Sequence, residues 1–143
     1  MNRPDWLDND YPSYETIVNS WEYEVLAFET TGSYQGDHEV LFSDSEGRYG
    51  FLVVGYGSCS GCDLLEAIIP YSYMETQDWT EVDTFRNELK GDIRWFDTTE
   101  DALTFLRSKI EGDVNSWYSW DREINEVMEK FIELIQDRME VNL

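Results

Sequence analysis

Residues 48 to 57 read RYGFLVVGYG, with apolar side chains at odd and even positions alike. An extended chain sends successive side chains to opposite sides, so this run has no polar face to give to water and belongs in the middle of a sheet. Its neighbours follow from the flanks. YEVLAFETT, 23 to 31, is rich in β-branched and aromatic residues, and HEVLFSD, 38 to 44, alternates. Between the second and third strands, Asp44-Ser45-Glu46-Gly47 is a hairpin turn with a glycine suited to positive φ. A three-stranded antiparallel meander results, and Ile93-Arg94-Trp95-Phe96 adds a candidate fourth strand.

Helical signals lie outside that block. Ser13 to Ser20 and Asp63 to Ile69 are short helices, the second ended by Pro70, and Trp79 to Leu89 is a longer one stopped by Gly91. Thr98 and Asp101 have capping-box spacing ahead of Leu103, Leu106 and Ile110, with Gly112 placed as a C-cap. The last helix, capped by Ser119, carries Ile124, Val127, Met128, Phe131, Leu134, Ile135 and Met139 at helical spacing. The expected fold is α+β: a small antiparallel sheet, helices packed on one face, and a long C-terminal helix. At 143 residues it forms a single domain, 1–143, with residues 1–12 as an irregular acidic arm. Aromatics at 15% argue against disorder despite the charge. No signal-peptide pattern opens the sequence and no long apolar run follows, so the expected location is the cytoplasm.

The charge is large and unevenly placed. Residues 4 to 85 hold 17 acids and one base, Arg48, for a net of −16; residues 86 to 143 hold 14 acids and 8 bases, net −6. With Arg3 the total is −21. Such a field repels nucleic acid and anionic membranes and steers basic protein surfaces toward itself. Glu22, Glu24, Glu29, Asp37, Glu39, Asp44 and Glu46 fall on or beside the meander, where alternation should point the strand acids to solvent. Glu126, Glu129 and Glu133 form a second patch on one face of the last helix, spaced along its axis by about 4.5 to 6 Å. Lys130 and Arg138 dilute that row, and Glu126 with Lys130 makes a favourable i, i+4 pair.

GYGSCSGCD, 55 to 63, contains both cysteines of the chain. A strand leading into C-x-x-C at a helix start lowers a thiol pKa, as redox proteins require. Against that reading, Asp63 follows directly, the strands form a meander where a βαβ unit is needed, and no proline loop faces the thiols. As a zinc site, Cys59 and Cys62 supply two of four ligands, with His38 a third and Asp37, Asp63 or Glu66 a fourth. That donor set is unusual for structural zinc. The simpler reading is a compact turn in which two small residues give the backbone room.

Nothing in the sequence places a Cys–His pair together, no nucleophile elbow is present, and Asp5, Asp8 and Asp10 lack calcium-loop spacing. The residues therefore point away from an enzyme, with no catalytic residue and no cofactor beyond the zinc alternative.

YQGDHEVLFSDSEGRYGFLVVGYGSCSGCDLLEAI, with IRWFDTTEDALTFL and WYSW further on, resembles a family of small acidic proteins encoded by bacteriophages and some of their bacterial hosts. The resemblance covers about two thirds of the chain in outline and implies a phage setting with an accessory or anti-host role. Together with the charge it leads to an expected function: a non-enzymatic inhibitor, a partial mimic of nucleic-acid charge, that occludes the basic site of a host nucleic-acid-binding protein. The alternative is a small metal or thiol protein built on Cys59 and Cys62.

Overall fold

The computed structural model describes residues 4–7, 12–33, 35–57, 63–68, 79–113 and 119–141. In chain order the elements are α1 (Tyr14–Asn19), β1 (Glu24–Gly32), β2 (Gly36–Ser43), β3 (Tyr49–Tyr56), α2 (Leu64–Ile68), α3 (Trp79–Gly91), β4 (Arg94–Trp95), α4 (Thr99–Asp113) and α5 (Ser119–Val141). The strands form one sheet of order β1-β2-β3-β4, antiparallel throughout. Among the described residues, no helix is long and apolar enough to cross a membrane.

The sheet is buried on both sides. Val40, Phe42, Leu52 and Val54 face Ile17 and Val18 of α1, Leu65 of α2, and Val82, Phe85 and Leu89 of α3. Leu41, Tyr49 and Phe51 face Leu103 and Leu106 of α4 and Val127, Met128, Phe131 and Ile135 of α5. The expected α+β class, the meander, the fourth strand and the long last helix are all present. The expectation of helices on one face gives way to helices on two. The reason lies in β2 and β3: with a single layer of helices, Leu41, Tyr49 and Phe51 would be left in water, at about 1.5–3 kcal/mol for each large apolar side chain.

Local chemistry sets the element ends. The Ser13 hydroxyl accepts from Thr16 N at 3.1 Å and starts α1, and Thr98 does the same for Asp101 N at 3.1 Å ahead of α4. Gly112 was expected to end α4, yet the helix runs through it to Asp113. In the β2–β3 turn, Gly47 takes φ +80° and Asp44 Oδ1 accepts from the backbone N–H groups of Glu46 (3.0 Å) and Arg48 (2.8 Å). Gly50 serves a different need. A side chain there would meet the Trp95 ring at 2.8 Å, so its absence is what lets β4 lie against β3. From the N-terminal segment, Leu7 is buried and Trp6 donates from Nε1 to Asp83 on α3 at 3.2 Å.

Phe42 and Phe131 are both 0% exposed and belong to opposite faces of the sheet. Replacing either by alanine is expected to cost about 3–5 kcal/mol in urea denaturation. A small loss at one of the two would mean that its face carries no packed core.

Candidate interaction surface

The fold brings the bases of the second half onto the acids of the first. Lys90 of α3 reaches Glu22 at 2.8 Å, Lys130 of α5 pairs with Glu29, and Arg138 of α5 comes within 3.9 Å of Glu24. The hydrogen bond from Lys90 holds the Glu22 carboxyl below its ordinary range. Arg48 binds Asp44 at 2.8 Å and lies 3.6 Å from the exposed Glu46. At Asp44 burial opposes the charge, but hydrogen bonds from Arg48 and from the Glu46 N–H outweigh it and lower the pKa. Surface pairs of this kind contribute about 0–1 kcal/mol each. Their larger effect is on the field, since they neutralise acids that look uncompensated along the chain.

Two strand acids turn inward, contrary to the expectation that they face solvent. On β2, residues 38, 40 and 42 share the α3 side, so Asp37 and Glu39 fall on the α5 side with Leu41. That face is not covered throughout, since Val53 opposite Glu39 on β3 is 44% exposed, yet Glu39 itself is closed off. Asp37 is half-buried, and desolvation raises its pKa. Glu39 is 3% exposed, lies opposite Glu29 on β1, accepts from Thr31 Oγ1 at 3.2 Å, and has no partner for Oε2 among the described residues. Burial, followed by the nearby Asp37 charge, pushes its pKa up to about 7.

Glu126, Glu129 and Glu133 are exposed on α5, opposite the buried Val127, Met128, Phe131 and Ile135. The expected Glu126–Lys130 pair is replaced by Lys130–Glu29, and no described base pairs with any of the three. This second patch is therefore the more available one. Of the meander acids, Glu22, Glu24, Glu29, Asp44 and the exposed Glu46 are bridged, and Asp37 and Glu39 are drawn inward.

Cys59 and Cys62 lie outside the described residues, as does the side chain of Glu66. Asp63 holds a turn: its carboxylate accepts from Tyr14 Oη, Leu65 N (3.0 Å) and Gly57 N (3.2 Å). His38 stacks on Tyr56 at 4.6 Å between ring centroids, with Phe28 and Tyr14 at 5.0 and 5.1 Å, and its Nδ1 is 2.9 Å from Thr30 Oγ1. Among the described residues, no three His, Cys, Asp or Glu side chains form a group able to hold a metal ion.

Two open pockets flank β1, and neither is legible in the sequence. One, of about 340 Å³, is lined by Tyr14, Glu15, Phe28, Thr30, His38 and Asp63 among others. The other, of about 360 Å³, is lined by Leu26, Leu134, Asp137, Arg138 and Val141. Both depend on which side of the sheet a β1 residue takes and which helix packs there. Tertiary structure decides that, and periodicity does not.

Glu39 makes stability depend on pH. The folded chain holds its proton up to about pH 7, while the unfolded chain releases it near 4.5. Between those values the folded state binds more protons, so stability is full below pH 4.5 and declines as pH rises through 7. Glu39→Gln is expected to be more stable than the parent by roughly 1–3 kcal/mol at pH 8 and unchanged at pH 4. Urea denaturation at the two pH values checks this; an equal change at both would remove Glu39 as the cause.

Comparison with family models, curated proteins and solved structures finds no match to this chain.

Proposed function

We propose that this chain is an interaction protein that binds the basic, nucleic-acid-contacting surface of another protein and occludes it. In the phage setting that the sequence resemblance implies, that partner is a host protein. The observation that carries the reading is the α5 row Glu126, Glu129 and Glu133, exposed and unpaired with any described base while Lys130 and Arg138 of the same helix turn toward β1. Carboxylates at a pitch of about 4.5 to 6 Å on a rigid helix offer regularly spaced charge to lysines and arginines arranged for a phosphate backbone. The net charge of −21 over the whole chain adds long-range steering toward such a surface.

The test is a pull-down from host lysate, with captured proteins challenged by DNA, RNA and salt. The triple variant Glu126→Lys, Glu129→Lys, Glu133→Lys is expected to weaken capture of a nucleic-acid-binding partner at least about tenfold with its stability unchanged, and Glu39→Gln to have no effect. Retention of that partner by the triple variant, or failure of nucleic acid to displace it, would overturn the proposal.

A further inference from the structure

The edge of the sheet formed by β1 has the features of a docking rail. It pairs with β2 alone, and among the described residues no strand lies on its other side. Its residues 25 to 29 are only half-buried, whereas β2 is buried along residues 39 to 43. At its end the Gly32 N–H is taken by Glu123 of α5 at 2.9 Å and the Thr31 carbonyl by Tyr56 Oη at 2.8 Å, so the stretch that offers outward backbone N–H and C=O groups to an added strand is residues 24 to 30.

The flanking pockets make this edge selective. The register slips between Val25 and Ala27, so Leu26 is an extra residue on the α5 side, while Val25 and Phe28 pack on the α3 side. As a result β1 borders a different pocket on each face. Beside Phe28 and Thr30 lies the one containing Glu15 and Asp63, with the Tyr14, Phe28 and His38 rings and, among the described residues, no lysine or arginine. Asp63 is engaged by its three donors, and no described base pairs with the exposed Glu15. Burial holds the His38 pKa below its ordinary value against the pull of Asp63, so the ring adds no positive charge at neutral pH. Carboxylate beside aromatic faces suits a guanidinium or ammonium group. Beside Leu26 lies the pocket walled by Leu134 and Val141, with Asp137 and Arg138, which suits an apolar side chain.

We propose that β1 is a strand-addition site for an extended basic segment of a partner protein, which pairs with the β1 backbone and sends a cationic side chain into the Glu15 pocket and an apolar one into the Leu26 pocket. A second copy of this chain is a poor occupant, because self-pairing would bring together two chains that each carry a net charge of −21. The site shares with the α5 reading only the positive charge of the partner, and it stands on a different surface.

The test uses the full chain and a synthetic seven-residue peptide alternating arginine and leucine, capped at both ends, at about 0.3 M salt to suppress diffuse attraction. The expected result is NMR shifts and slowed amide exchange centred on residues 24 to 30, with Glu15→Lys and Leu26→Glu each weakening binding about tenfold by calorimetry. A second arm needs no protein variant: methylating alternate peptide nitrogens on the pairing edge should abolish binding. The α5 triple variant should bind the peptide as the parent does, which separates this site from the occlusion proposal. Shifts centred on Glu126 to Glu133, equal affinity for the methylated peptide, or loss of peptide binding in the α5 variant would each overturn the assignment.

Discussion

β2 and β3 are apolar on both sides, so two helical layers must cover them, α1 to α3 on one side and α4 with α5 on the other. Once both faces are occupied, a highly acidic chain has few places left for its charge. Carboxylates go to turns, to the outer faces of helices, to the open edge of the sheet, or inward at a cost. Asp44, Glu126, Glu24 and Glu39 are respective examples.

The same packing explains how the molecule tolerates its charge. In sequence, the first half looks almost uncompensated, and most of the bases that meet its acids lie tens of residues away. Helices α3 and α5 lie across the sheet, and their lysines and arginine meet Glu22, Glu29 and Glu24. The long C-terminal helix thus has two electrostatic sides: cations reach from it to β1, and a row of carboxylates faces outward.

Much of the fold was legible, and the limits have physical causes. The strands, the Asp44–Gly47 turn and the Thr98 cap follow from local chemistry, which acts within a few residues and leaves a plain trace. RYGFLVVGYG pointed to a central strand with two apolar faces, but the helices were expected on one of them; how they divide between the faces depends on contacts far apart in sequence. Glu39 shows the same limit. Its alternation phase is readable, but whether that phase meets water or α5 is not. The candidate acids suffered most, because ion pairs such as Lys130–Glu29 span about a hundred residues and have no local signature.

The slip at Leu26 has a consequence for how the length of this chain can vary. Removing one residue from a regular strand reverses the side taken by every residue on one flank of the cut. At Leu26 the arithmetic differs. Val25 already opposes Phe42 and Ala27 already opposes Leu41, so the pairing closes up with Leu26 gone and every other β1 side chain keeps its face. The edge strand therefore holds a residue that the ladder does not count, a place where descendants of this sequence can lose a codon without exchanging the inside of the protein for its outside.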